Sequence, residues 1–274
     1  FMAGDSFTFC TAVEIADTAS SKLEQMTGLP TYNLGVRGIG PYDYLMLTKL
    51  FAGKLKPKIV VFNIYEGNDL RDVVNAKVIA AEEEEIQNYC ENFCINSYAV
   101  EFVIAAVKSM KDRVNSLSTQ YDFHYSAPVD GKIMDMNTAN RDLDEVEYAL
   151  KVVKGELSPD LFFEPLSKFV SWAKDNHITP IVTYIPSMYT AYDQTVIFSD
   201  DHVGKIVRDF STIQRRWFAD HQTALNYEFI DLTPSFQREA AAGRLTHFPA
   251  NVHLTPLGHT IVATEIAKRI ATLP

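Results

Sequence analysis

The chain has 274 residues, 47% of them apolar, and a formal net charge of −10 at pH 7. That length supplies one large domain and its core, while the acidic balance disfavours a nucleic-acid surface or an anionic membrane face. No apolar run is long enough to span a bilayer, and three cysteines are too few for a disulfide framework.

Residues 1–8 (Phe-Met-Ala-Gly-Asp-Ser-Phe-Thr) read as the end of a strand, a tight turn and the start of a helix. Gly4 permits the turn, and Asp5 and Ser6 are both good N-cap types. A serine there sits beside free backbone N–H groups, which suits a nucleophile whose reaction generates an oxyanion. By itself such a triplet is more often an ordinary capped turn. Only three residues precede Gly4, fewer than a strand usually needs. The sequence therefore favours a natural chain that starts earlier, with a leading strand, signal or anchor, and an extracytoplasmic location.

Helical spacing runs through residues 10–27 (Val13, Ala16, Leu23, Met26) and stops at Gly28. Residues 30–34 form a short strand, followed by a glycine-rich loop over 33–41. A helix over 42–53 is closed by Gly53. Residues 58–65 (Lys-Ile-Val-Val-Phe-Asn-Ile-Tyr) are nearly all apolar, as in a strand buried on both faces. Glu66-Gly67-Asn68-Asp69 comes directly after it.

From 70 to about 160 the rhythm breaks. Glu82 to Glu85 read as a solvated helix face, Cys90 and Cys94 as small buried side chains on one helix, and residues 100–117 as a second helix. Residues 121–128 are aromatic and turn-rich. Together these make a mostly helical insertion placed to cover the active face. The α/β alternation then resumes with a helix over 161–176 and a strand over 178–185 that is ended by Pro186-Ser187. A helix over 201–219, a strand over 227–232, a short helix over 234–242 and a helix over 256–272 complete it. This reads as one α/β domain over 1–274, a three-layer sandwich with a five-stranded parallel sheet in flavodoxin-like order. Ligands in such sheets bind at the carboxyl ends of the strands. Ser6, the glycine loop and Asn68 all fall there.

A nucleophilic serine needs a base, and its tetrahedral intermediate needs donors. Gly38 can bring a backbone N–H close to a substrate oxygen, and Asn68 can donate from its amide. His253, within Asn251-Val252-His253-Leu254-Thr255-Pro256-Leu257-Gly258-His259, lies in a loop before the last helix. His247 and His259 read as a loop and a helix residue, Cys10 as buried, and Asp231 as tying a turn.

The ordered set Gly4-Asp5-Ser6, Gly38, Gly67-Asn68-Asp69 and His253 resembles the GDSL, or SGNH, hydrolase superfamily. Each block is short; four in order, at strand ends, are specific. The resemblance covers about residues 1–70 and 161–274. Ile185-Pro186-Ser187 with Tyr189 and Tyr192 also looks like the branch linked to bacterial exopolysaccharide acetylation. The resemblance implies Ser6 as nucleophile and His253 as base and then acid. It makes the Ser6 N–H, Gly38 N–H and Asn68 side chain the oxyanion hole, with no cofactor and no metal. The implied activity is a serine esterase that removes small acyl groups, acetyl foremost, from a saccharide or other hydroxylated substrate. An O-acyltransferase using the same acyl-enzyme, or a weakened carbohydrate-binding relative, are the alternatives. One departure stands out: the family's acid lies two or three residues before the histidine, where this chain has Asn251 and Ala250. The Asn251 amide oxygen can accept from the ring Nδ1–H but, being neutral, cannot stabilise an imidazolium. Arg37 and Arg71 flank the oxyanion residues; surface salt bridges are the default reading and an anionic substrate the other, while the aromatics of 121–125 read first as packing, with Tyr125 the candidate for sugar stacking.

Overall fold

A computed structural model describes residues 1–10, 12–78, 123–136 and 143–273. The expected helix over 100–117, the acidic run Glu82 to Glu85, and Cys90 and Cys94 lie outside the described residues. The main sheet has five parallel strands in the order β2-β1-β3-β6-β8: β1 (Met2–Gly4), β2 (Asn33–Gly35), β3 (Ile59–Tyr65), β6 (Thr179–Ile185) and β8 (Glu228–Asp231). This is the flavodoxin-like order, with β1 and β3 side by side at the point where the winding reverses.

Strand periodicity explains the three layers. On β3, Val61 and Tyr65 join Met2, Ile181 and Ile185 on one face. There they pack against the helices Ala19–Thr27, Thr233–Ala241 and Pro256–Ile270. Val60, Phe62 and Ile64 point the other way, with Ala3, Val182 and Tyr184, into the helices Pro41–Leu55, Phe163–Asp175 and Asp201–Leu225. Helices on both faces bury both, and an unbroken apolar strand results.

Three features differ from the sequence expectation. Residues 10 and 12–18 form no α-helix, only a 3-10 turn at Ile15–Asp17. A four-residue helix, Ser6–Phe9, is closed by Cys10 in the left-handed conformation (φ 70°), and the next regular helix starts at Ala19 behind its cap Thr18. Gly53 lies inside its helix, which runs on to Leu55 and is closed by Lys56 (φ 45°). Residues 125–135, which overlap the aromatic, turn-rich stretch, form a hairpin of β4 (Tyr125–Val129) and β5 (Lys132–Asp135). Asp130 and Gly131 both take positive φ at its tip, the geometry of a type I′ turn. With β7 (Ile197–Phe198) the hairpin makes a small antiparallel sheet. The Asp130 N–H donates to the Gly243 carbonyl, which ties the hairpin tip to the loop leading towards His253.

Candidate active site

The Gly4-Asp5-Ser6 turn is fixed from below. Asp5 caps the Ser6–Phe9 helix, its Oδ1 accepting from the Phe7 N–H at 2.9 Å. A Cβ on Gly4 would lie 2.0 Å from Thr8 Oγ1, so the close approach of strand and helix requires glycine. That Thr8 hydroxyl accepts from Asn63 Nδ2 (2.9 Å), and Asn63 Oδ1 accepts from Thr183 (2.7 Å). The Thr8 carbonyl accepts from Asn33 Nδ2. Three strands thus hold one four-residue helix through buried hydrogen bonds, whose loss leaves unpaired polar groups. Ser6 itself is half-buried, and its N–H, the first of the helix, has no intrahelical acceptor.

The other sequence candidates reach this turn from neighbouring strands. The Val36 N–H donates to the Gly4 carbonyl at 3.1 Å, so Arg37 and Gly38 come directly after a contact with the nucleophile strand. Gly38 has φ +73°, and a Cβ there would meet nothing within 4 Å, so the turn faces open space. Asn68 Nδ2 donates one hydrogen to Asp5 Oδ2 (3.1 Å) and keeps the other, while its Oδ1 is buried without a partner.

His253 approaches from the opposite side of the turn. Its ring stacks on Phe7 with centroids 4.9 Å apart, and Phe7 stacks on Tyr65 at 3.6 Å. His253 Nδ1 lies 2.7 Å from the Asn251 carbonyl oxygen. A carbonyl only accepts, so Nδ1 carries the proton and Nε2 presents its lone pair. Nε2 is buried and has no hydrogen-bond partner, so it is not bonded to Ser6 Oγ in this structure. Burial, followed in effect by the charge of Arg37, lowers the His253 pKa below its usual 6.5, while the bond to Asn251 raises it.

The partner of the ring corrects the expectation for Asn251. Its side-chain Oδ1 accepts from the His253 backbone N–H at 3.1 Å, leaving the ring to its main-chain carbonyl. The loop is closed on itself: the Phe248 N–H donates to the His253 carbonyl and the Val252 N–H to the Phe248 carbonyl. Closure puts Val252 at φ 58°, a strained conformation for a β-branched residue that holds the histidine's backbone in place.

Tyr125 is also corrected. It is buried, its ring against Tyr189, Phe123 and Phe198. It packs the small sheet onto the domain and offers no face for a sugar. Arg71 Nε pairs with Asp72 at 3.2 Å, one turn beyond Asn68.

The remaining histidines are accounted for. His247 is buried, its Nε2–H donating to the Pro186 carbonyl and its Nδ1 accepting from Thr246, and burial pushes its pKa down to about 3. His259 is buried against Cys10 and lowered to about 4, while burial raises the Cys10 thiol to about 11, so Cys10 is no rival nucleophile. Asp231 takes Thr233 N–H and Arg215, tying the turn after β8. Among the described residues no group of His, Cys, Asp and Glu is arranged to hold a metal, and no helix is long and apolar enough to cross a membrane.

Sequence reasoning missed the bond from Asn68 to Asp5, and with it the roles of Asn63, Thr8 and Thr183. Asn63 had a signal: one amide in an apolar run must find partners when buried.

No family model matches the chain, and no curated protein does. Solved structures do. A protein of the lipolytic G-D-S-L family from Desulfitobacterium hafniense DCB-2 shares 14% identity, with 97% of each chain covered and a TM-score of 0.50. The α/β hydrolase enzyme LAE5, from the metagenome of Lake Arreo, Spain, shares 12% identity over 100% of this chain and 94% of its own, with a TM-score of 0.52. The fold is that of the SGNH hydrolases. The first three blocks follow β1, β2 and β3, and His253 lies in the loop before the last helix.

Proposed function

We propose that this protein is a serine ester hydrolase of the SGNH type, acting on small acyl esters, acetyl foremost, of a saccharide or other hydroxylated substrate. The observation that carries the reading is His253. Its Nδ1 proton is held by a carbonyl, and its Nε2 lone pair is buried and unspent, on a ring stacked against the residue after Ser6. A base that is desolvated, oriented and unpartnered is poised to take a proton. The likeness to the G-D-S-L protein and LAE5 supports the fold on which such a site is built.

In this mechanism Ser6 Oγ attacks the ester carbonyl as Nε2 takes its proton. The tetrahedral oxyanion accepts hydrogen bonds from the Ser6 N–H, the Gly38 N–H and the free hydrogen of Asn68 Nδ2. The imidazolium then protonates the leaving alkoxide, and water, activated by the same nitrogen, releases the acid and restores Ser6. The Asn251 carbonyl fixes the tautomer, but being neutral it does not balance the imidazolium as a carboxylate would, which costs kcat more than binding. An open groove lined by Ala12, Val13, Glu14, Asp17, Phe248 and Pro256 borders the His253 loop and offers room for a neutral part of the substrate.

The direct test is labelling by a fluorophosphonate. The label is expected on Ser6 and absent from Ser6→Ala; a protein that neither labels nor cleaves an activated acetyl ester is not an esterase. A second expected result concerns the missing acid. Asn251→Asp keeps an oxygen for the His253 backbone N–H and adds a negative charge beside, not on, the ring. An indirect pair of this kind contributes about 0.2–1 kcal/mol, so kcat should rise up to about fivefold. The acid limb of kcat/KM should move to higher pH, because the added charge favours the imidazolium. A limb that stays put would show that the charge does not reach the ring.

A further inference from the structure

We propose that the Arg37 guanidinium binds an anionic group of the substrate, a carboxylate or sulfate carried on the alcohol side of the ester, so that the natural substrate is an acylated acidic saccharide. This rests on the esterase reading and narrows its substrate class.

Three observations point there. Arg37 is exposed and, among the described residues, makes no hydrogen bond and no ion pair, in a chain whose acids outnumber its bases by 35 to 25. Most of the other arginines have found a carboxylate: Arg71 with Asp72, Arg208 with Asp193, Arg215 with Asp231, Arg244 with Glu239. Second, its position is set by the backbone: it comes after Val36, whose N–H is bonded to Gly4, and precedes Gly38 at φ +73°. Arg37 therefore leaves the backbone beside the site, between the contact with the Ser6 strand and the proposed oxyanion glycine. Third, its charge acts against the catalytic base, since it disfavours protonated His253.

The place of Arg37 in the chain, between the contact with Gly4 and Gly38, favours a subsite over a solvent-facing bystander, and its charge adds to the case. The reaction makes an imidazolium at His253, and among the described residues the ring is paired with a carbonyl and not with an acid. A cation without a partner among those residues makes the deficit worse. An anion on Arg37 removes the penalty at the moment the proton moves. An acidic substrate would thus bring to the site the negative charge that the protein does not place behind its histidine. Guanidinium is suited to this, offering a planar fork to a carboxylate or sulfate.

The test compares an acetylated methyl glucoside with the matching acetylated methyl glucuronoside, which differ only in the carboxylate. The wild type is expected to favour the glucuronoside in kcat/KM by at least tenfold at low salt, with the preference shrinking as salt is added. Arg37→Gln should reduce that ratio at least tenfold, Arg37→Lys should retain part of it, and Arg216→Gln, a remote exposed arginine paired with Asp220, should leave it alone. With the neutral ester, Arg37→Gln should also move the acid limb of kcat/KM to higher pH. Equal turnover of the two sugars by the wild type, or a ratio indifferent to Arg37→Gln, overturns the proposal. Should neither sugar ester be cleaved by a Ser6-dependent route, the esterase reading fails by itself. Calorimetric binding of methyl glucuronoside to Ser6→Ala, with and without Arg37→Gln, then decides the anion site: weaker binding in the double variant supports it, and equal binding overturns it.

Discussion

Replacing His253 by alanine is expected to lower kcat on a small acetyl ester by about 10²–10⁴-fold, the usual worth of a positioned base. The pH profile of the parent should carry the same residue's signature. The active form is the neutral imidazole, so kcat/KM falls as pH drops through the His253 pKa. Burial and then Arg37 hold that pKa below 6.5. The fall should therefore come below pH 6.5, and in His253→Ala it should shrink to the part that protonation of Asp5 contributes. A limb at or above 6.5 would mean that the titrating base is some other group. The other buried histidines cannot substitute, since both nitrogens of His247 are occupied and His259 faces Cys10.

Each feature was readable in advance to the degree that local sequence determines it. The sheet was legible because β3 is apolar on both faces, a pattern few alternatives share, and because strand ends carry the functional blocks. Helix limits were less so. Gly53 looks like a stop, yet the chain turns left-handed at Lys56, where tertiary packing overrides the local preference for glycine. The hairpin over 125–135 was within reach: Asp130-Gly131 is a strong two-residue turn signal between alternating segments. Its aromatic and proline-containing flank masked the alternation that puts Tyr125, Ala127 and Val129 inward. The partner of the His253 ring was out of reach in principle. Every residue has a carbonyl, so no side-chain pattern announces that the Asn251 carbonyl takes the role and its amide does not. Asp5 was read only as a cap, because its second oxygen meets Asn68 from the turn after β3, which is remote in sequence.

That contact yields the sharpest expectation. Asp5→Asn should make the protein more stable at pH 8 and, at the same time, cost about 10²–10³-fold in kcat, as much as removing the oxyanion donor itself by Asn68→Ala. Asp5 is fully buried, and desolvation pushes its pKa up to about 6 against the bonds from Phe7 and Asn68, which pull it down. A carboxyl raised above its ordinary 3.8 favours the native state while protonated. Its contribution is full below pH 3.8 and is lost as pH rises to about 6. At pH 8 the ionised group costs on the order of 1–3 kcal/mol. Asparagine cannot ionise, and its oxygen can still accept from the Phe7 N–H. Its NH₂, however, would face the Asn68 NH₂, two donors with nothing between them. A flip of the Asn68 amide restores the bond between the two side chains, its Oδ1 then accepting from the new NH₂, and carries the donor nitrogen away from the oxyanion into the buried position where Oδ1 has no partner. The ionised Asp5, which can only accept, is what keeps that amide the right way round at a cost in stability. Denaturant midpoints of parent and variant should therefore diverge at pH 8 and converge towards pH 4, with kcat lost in the more stable protein. A variant that is stabilised yet keeps the parental kcat would show that something other than Asp5 orients Asn68.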